Sequence, residues 1–374
     1  MYTLNYGPHH PSTHGVLRLL LTMEGEQVIK CEPIIGYLHR GVEKLVESKQ
    51  FVSIIPYIDR LDYLAPVISE HAYVLAIEKL LNIVVPRRAL IIRTIFDELT
   101  RISCHIMGIG CATYDMGLMN IFLYGMEERE KIMNIFYNTT GNRMHLAYYI
   151  PGGITNDINS DIINSIKLFI NKLDFYLNTV EILALNNRIF KQRTENVSII
   201  SKELAIKYGI SGVNLRSTGI KYDIREMKPY GIYKELNFKS IILNKSDCYN
   251  RTYLRYLEIK QSINLIKQCL EIIEPGEYCS YNNYNRQDGS TFFNFNLKLP
   301  ENNTIYSSVE NSRGEFGIHL FTGNNPCITP YRIHFKSPSF AIIQMLKELL
   351  RNTKLADVSA ILGSLDFIIG DCDR

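Results

Sequence analysis

Apolar residues along this chain first alternate with polar ones, then recur at helical spacing, then alternate again. In residues 16–37 the run VLRLLLTMEGEQVIKCEPIIG places two β-rich stretches around Glu24-Gly25-Glu26, the pattern of a hairpin. From Arg40 to about Arg193 the period is helical. RLDYLAPVISEHAYVLAIEKLL carries Leu64, Ile68, Tyr73, Ile77 and Leu80 near helical spacing, with Pro66 as an early kink or boundary. A second helix opens at PRRALIIRTIFDELTRISCHIMGIG, where Pro86 suits a first helical position. EEREKIMNIFYNTT predicts a third helix, and Ile158 to about Leu185 a fourth. Residues 194–250 are mixed and contain the turn-rich SGVNLRSTGIKYDIRE. RTYLRYLEIKQSINLIKQCLEII reads as another helix, stopped by Pro275-Gly276. Residues 277–335 alternate and are rich in Asn, predicting strands and loops; a last helix near PSFAIIQMLKELLRN leads into ADVSAILGSLDFIIGDCDR. With no repeat and no long linker, the expectation is one α+β, predominantly α domain over 1–374. It has an N-terminal β part (1–40), a helical core (41–193) and a mixed remainder (194–374).

Composition narrows the function classes. The 374 residues are 46% hydrophobic and 21% charged, enough to bury a sizeable core. A net charge of +3 without clustering gives no footprint for nucleic acid. No stretch approaches the roughly 18 apolar residues of a membrane span. The greasiest region, Ala89 to Gly125, is interrupted by Arg93, Asp97, Glu98, Arg101, His105 and Asp115, so a membrane link is expected to run through partners. No targeting peptide is visible in MYTLNYGPHH. Richness in Ile, Asn, Tyr and Lys, with no Trp, suits an AT-rich, organellar genome. The eight cysteines (Cys31, Cys104, Cys111, Cys248, Cys269, Cys279, Cys327 and Cys372) form no CxxC and no zinc or iron–sulfur spacing. Scattered reduced thiols, and no metal held by this chain, are expected.

Four short clusters could carry chemistry. In Gly7-Pro8-His9-His10-Pro11-Ser12-Thr13-His14-Gly15, His10 and His14 have HxxxH spacing, but Pro, Ser, Thr and Gly predict a loop rather than a metal-binding helix. Loop histidines with local hydrogen bonds are the plainer reading. Gly36-Tyr37-Leu38-His39-Arg40-Gly41 is by itself an ordinary strand-to-helix turn. In Asp59-Arg60-Leu61-Asp62-Tyr63, Arg60 and Tyr63 would share one helical face, and Tyr63 alone reads as a packing residue. In Thr113-Tyr114-Asp115-Met116-Gly117 the acid lies among apolar residues, so a partner for Asp115 is expected.

Taken in order, GPHHPSTHG, GYLHRG, YIDRLDY, SEHAY, TYDMG, EEREK, GNRMH, PGG, NLRSTGIKYDIRE, SPSFA, LADVSAILGSLD and GDCDR resemble one family along essentially the whole chain. It is the quinone-site subunit of respiratory complex I, usually called NADH dehydrogenase subunit 7 or the 49-kDa-type subunit. The family is related to the large subunit of nickel–iron hydrogenases, which implies a hydrogenase-like helical body. The resemblance further implies that the loop bearing His10 and His14 reaches the ubiquinone head group. His14 would face one carbonyl, Tyr63 would hydrogen-bond the head group, and Asp115 would pair with the loop histidine. It places His145 and Arg40 beside a terminal 4Fe–4S cluster held by a partner subunit, with NAD and FMN bound elsewhere in the complex. The implied partners are that iron–sulfur subunit, the 30-kDa-type and other peripheral-arm subunits, and membrane-arm subunits at the quinone channel. The implied location is peripheral, on the matrix side of the mitochondrial inner membrane.

The chemistry is coherent with those roles. Reducing quinone to quinol takes two electrons and two protons; histidine near pKa ~6.5 donates near neutrality, and tyrosine near ~10 only to a strongly basic oxygen. Asp115 would favour the charged imidazole, and breaking such a pair in a buried site costs roughly 3–5 kcal/mol. Three departures stand out. The hydrogenase CxxC pairs are replaced by Arg40-Gly41 and a lone Cys372; His9 stands where the family usually has Gln; Ile150 stands where it usually has Arg. No GxGxxG occurs, so NADH is expected on another subunit. The competing readings are a hydrogenase-type large subunit, which bound nickel would reveal, and a non-catalytic assembly scaffold, against which His14, Tyr63 and Asp115 argue.

Overall fold

The structure is a computed structural model that describes residues 1–10, 15–280, 298–324 and 328–374; His14, Cys327 and part of the Asn-rich stretch lie outside them. It is about 52% helical, with small antiparallel sheets, so the α+β expectation holds. The central helices are α1 (Pro66–Leu81), α2 (Arg87–Tyr114), α3 (Met119–Thr140), α4 (Ser160–Val180) and α5 (Cys248–Ile272). Pro66 opens α1 and Pro86 directly precedes α2, where a missing N–H costs nothing. Asn159 and Asp247 cap α4 and α5 by accepting the N–H groups of Ile162 and Asn250, each at 2.9 Å. At 28 residues, or roughly 42 Å of rise, α2 is the spine against which α1, α3 and α5 pack. Its Ile91, Ile92, Ile95, Phe96, Leu99, Ile102 and Ile106 join the main apolar core. Each fully buried side chain of this size contributes about 1.5–3 kcal/mol.

Five of the six residues that interrupt the greasy stretch do not face water, and the sixth, Asp115, is half-buried. Arg93, Asp97, Glu98, Arg101 and His105 are all fully buried, so this part of α2 is enclosed on every side. Each has a partner. Arg93 pairs with Glu78 at 2.7 Å, Asp97 with His71 at 2.6 Å, Glu98 with Arg225 at 3.1 Å and with Arg101 at 3.3 Å, and His105 with Glu258 at 2.8 Å. Among the described residues no helix is long and apolar enough to cross a membrane.

The N-terminal sheet has β1 (Tyr2–Tyr6), β2 (Arg18–Glu24) and β3 (Gln27–Ile34) in antiparallel order, with Thr353–Lys354 on the far edge of β3. The expected hairpin is present: Glu24 pairs with Gln27 across Gly25, whose φ of 59° suits glycine. Leu19, Leu21 and Met23 alternate inward onto a second apolar cluster. That cluster is completed by a segment distant in sequence. A second sheet, β4 (Thr304–Asn311), β5 (Gly314–Phe321) and β6 (Arg332–Lys336), packs Val309, Phe316, Ile318 and Phe335 into the main core beside α1. The chain then forms α6 (Pro338–Leu349), α7 (Leu355–Leu365) and α8 (Ile369–Asp373), which lie under the N-terminal sheet.

One local expectation is corrected. Arg60 and Tyr63 do not share a helical face, because residues 59–65 are turns between the short helix Ile55–Ile58 and α1. The Asp62 carboxylate accepts the N–H groups of Leu64 at 3.3 Å and Ala65 at 3.2 Å, offering the backbone an alternative to the helix. Pro66 also keeps the preceding residue out of helical geometry.

Candidate functional site

The segment 363–374 gathers most of the sequence motifs around itself. At its start, a Cβ added to Gly363 would lie 2.8 Å from Asp115 Oδ2, so the absence of a side chain there lets the half-buried Asp115 carboxylate lie against α7. A Cβ on Gly370 would lie 2.8 Å from the Leu61 carbonyl oxygen and 3.8 Å from Tyr63 Cδ1; this glycine admits the Tyr63 turn. Ile369 meets Gly15 at the end of the histidine loop, 3.1 Å from the position of a Cβ there. The Asp373 carboxylate accepts the N–H groups of Gly36 at 2.8 Å and Leu38 at 2.7 Å, and its carbonyl meets His39 Nδ1 at 2.7 Å. Arg40 donates its N–H to the Arg374 carbonyl at 3.3 Å. Four separate stretches of chain thus meet on one C-terminal floor.

A buried charge relay holds that floor. Arg313 donates to both Asp62 oxygens at 3.2 and 3.1 Å and to Asp366 Oδ1 at 3.1 Å. Arg255 lies 3.6 Å from Asp366 and donates to the carbonyls of Ser364 at 2.7 Å and Leu365 at 3.1 Å. Two carboxylates and two guanidiniums balance. Burial alone would raise Asp366, but Arg313 and Arg255 outweigh it and hold the carboxyl below its ordinary range. Among the described residues no cation contacts Asp371. Burial and the charge of Asp62 push it up to about 6, against the hydroxyls of Ser337 and Ser339. Burial likewise pushes the Tyr63 phenol up; Arg313 opposes this, and Asp62 and Asp366 reinforce it. Tyr63 therefore keeps its proton until it meets a strong base.

Arg40 and His145 form a neighbouring group. Arg40 Nη2 donates to the Arg60 carbonyl at 2.9 Å, a backbone contact rather than a salt bridge. Burial and the charges of Arg60 and Arg40 push the His145 imidazole down, and its Nδ1 is buried without a hydrogen-bond partner. Ile150 is buried in the two-residue hairpin Tyr149–Ile150 and Gly153–Ile154, where its carbonyl accepts from Arg93 at 2.9 Å. The cations acting on His145 are thus Arg60 and Arg40. The exposed His10 ring lies tilted against Tyr6, ring centroids 4.1 Å apart; His14 lies outside the described residues.

Sequence reasoning singles out Tyr63, Asp115, His10, Arg40 and His145, and misses the groups that hold them. Asp62 lies inside the YIDRLDY motif without a role there; Arg313, Asp366, Asp371, Asp59 and Glu70 have none either. Arg313 and Asp62 are 251 positions apart, so no local spacing could pair them.

The chain's relatives match it from end to end. The family described as "Respiratory-chain NADH dehydrogenase, 49 Kd subunit" matches residues 115–374. An NADH-quinone oxidoreductase subunit from Ehrlichia ruminantium is 42% identical, over 100% of this chain and 98% of its own. Proteins named NADH-ubiquinone oxidoreductase 49 kDa subunit from Cafeteria roenbergensis and Acanthamoeba castellanii are 40% and 42% identical. Each similarity spans 100% of this chain and 96% of the relative.

Proposed function

The chain belongs to the 49 kDa subunit family of respiratory-chain NADH dehydrogenase, a component of an NADH:quinone oxidoreductase, and from that premise we propose that it forms the quinone-reduction site. The observation that carries the proposal is the convergence of Tyr63, Asp115 and Gly15, the residue next to His14 in the sequence, on segment 363–374. Ubiquinone is the substrate: it takes two electrons and two protons and leaves as quinol. Tyr63, with its phenol pushed up, hydrogen-bonds a quinone oxygen and gives up its proton only once that oxygen is reduced and strongly basic. Asp115 orients and charges the loop histidine, His14, which supplies the other proton; His10 belongs to the same loop. The Asp62–Arg313–Asp366–Arg255 relay fixes the floor with balanced charge, which suits a neutral head group.

Arg40 and His145 face the partner subunit that holds the terminal 4Fe–4S cluster. That cluster supplies the electrons, and a histidine beside it couples its potential to pH. NADH and FMN bind on other subunits, and the 30-kDa-type and membrane-arm subunits are the further neighbours. The body is hydrogenase-like, and the location is the matrix face of the mitochondrial inner membrane, peripheral, in a proton-pumping assembly.

Tyr63→Phe tests the proposal. In an intact complex, inhibitor-sensitive NADH:ubiquinone reductase activity falls by about tenfold or more. Electron transfer to an artificial acceptor upstream of the site is unchanged. Full quinone reductase activity in that variant would defeat the active-site reading.

A further inference from the structure

Beneath His145 lie two acids that none of these roles uses. Asp59, at the end of the short helix Ile55–Ile58, and Glu70, in the first turns of α1, are both fully buried. Three consecutive N–H groups of the loop that follows His145 point at them. Ala147 donates to Asp59 Oδ2 at 3.1 Å, and Tyr148 and Tyr149 donate to Glu70 Oε2 at 2.8 and 2.9 Å. Ala147 sits at φ 43°, a left-handed conformation rare outside glycine, which curls the loop so that these N–H groups converge. Successive N–H groups arranged this way form a concavity that favours an anion.

The other two oxygens, Asp59 Oδ1 and Glu70 Oε1, are buried and meet no donor among the described residues, while the two side chains face each other within hydrogen-bonding reach. Two carboxylates cannot bond to each other; a carboxylic acid and a carboxylate can. No cation pairs with either acid among the described residues. Arg60 turns away to the Pro56 carbonyl, Arg40 to the Arg60 carbonyl, and His71 is engaged by Asp97. Two like charges this close in a dry site cannot both ionise.

We infer that Asp59 and Glu70 hold one proton between them and that the resulting singly charged pair is the positioning device for His145. The pair fixes the loop through three N–H groups and sets one negative charge beneath the imidazole. It opposes the positive charges of Arg60 and Arg40, which act on the same ring. Burial pushes Asp59 up to about 6, against its hydrogen bond with Glu70, the Ala147 N–H and the charge of Arg60. Burial and the charge of Asp59 together push Glu70 well above its ordinary value; the asymmetry supports one proton held by the pair, chiefly on Glu70, at neutral pH. The consequence for electron transfer rests on the reading that His145 faces the partner's cluster.

The test uses the assembled complex carrying this chain. In Glu70→Gln the amide oxygen takes the loop N–H groups and the amide nitrogen donates to Asp59, so one negative charge remains. The complex is expected to assemble to within about twofold of the parent, and Glu70→Ala, which leaves two loop N–H groups bare, is expected not to. Asp59→Asn with Glu70→Gln removes the charge. The pH profile of the cluster's midpoint potential, followed by electron paramagnetic resonance, then moves to lower pH by about one unit. Infrared difference spectra across the same pH range should show a protonated-carboxyl band that disappears in each single amide variant.

Failure of Glu70→Gln to assemble, absence of that band, or an unmoved profile in the double variant would overturn the inference. His145→Met separates the two readings. If it leaves the potential's pH profile as in the parent, the cluster-facing role of His145 is wrong, and the infrared band alone decides the shared proton.

Discussion

The buried carboxylates Glu98, Glu258 and Asp223 sit against guanidinium groups; Asp59 and Glu70 beneath the 145–149 loop, and Asp371 in segment 363–374, do not. Glu258 contacts Arg216 at 2.8 Å and His105 at 2.8 Å, Asp223 contacts Arg225 at 2.8 Å, and Glu98 contacts Arg225 at 3.1 Å. Burial would raise all three, but the cations outweigh it and hold them below their ordinary range. Asp371, Asp59 and Glu70 are equally buried, lack such contacts, and are pushed up. Glu310 marks the boundary between the two cases. It touches Arg216 at 2.6 Å, yet burial and the neighbouring charge of Asp223 still push it up. Burial is common to both groups, so the cations in contact decide the direction in which each carboxyl moves. The first group is a charged scaffold; in the second, burial without a cation in contact moves the carboxyls up towards neutrality.

The largest way to break this comparison is to remove a cation from the scaffold. Arg216→Met strands Glu310 and takes one of two basic partners from Glu258 and from Asp223. The expected cost is about 3–5 kcal/mol, read as loss of assembled complex on native gels. Replacing Arg216 and Glu258 together by apolar residues is expected to recover part of that loss.

Asp371→Asn tests the opposite region. The Asp371 carboxyl is raised in the fold from 3.8 to about 6, so the protonated fold is favoured below about 4 and that advantage fades as pH rises through 6. Asn stays neutral throughout. The variant's melting temperature in the purified complex is therefore expected to match the parent's at pH 4 and exceed it above pH 6, where the stability difference reaches up to about 3 kcal/mol. A gap that is the same at both pH values would show that Asp371 does not titrate there.

Gly370→Ala sharpens the role of the floor, since its Cβ would stand 2.8 Å from the Leu61 carbonyl. A cost of about 1–3 kcal/mol and a displaced Tyr63 turn are expected, seen as a raised KM for quinone. The smallest effect belongs to the surface. Lys131, in contact with Glu127 and Glu128, is 40% exposed, and Lys131→Met is expected to shift stability by less than about 0.5 kcal/mol.

Much of the fold is legible in the sequence, because helices and hairpins write their periods locally. The Glu24-Gly25-Glu26 turn, the start of α1 at Pro66 and the stop of α5 before Pro275-Gly276 all follow from short-range signals. The start of α3 at Met119, well before EEREK, and the addition of β1 to the hairpin do not, since tertiary packing decides them. The turns at 59–65 pass for helix in the sequence because Asp62 serves a distant Arg313 and its own backbone at once, which no local pattern reveals. For the site, motif resemblance points to Tyr63, Asp115, Arg40 and His145. It is silent on the Asp59–Glu70 pair, whose meaning arises only when the 145–149 loop is laid over both acids.

The central claim, that quinone is reduced on segment 363–374, is tested most directly by photolabelling. The intact complex would be labelled with an azido-benzoquinone in the presence and absence of excess ubiquinone, and the labelled peptides mapped. Labelling that ubiquinone suppresses, within residues 60–65, 112–118 or 363–374, is the predicted result. Suppressible labelling confined to other subunits, or to the outer faces of α3 and α4, would contradict it.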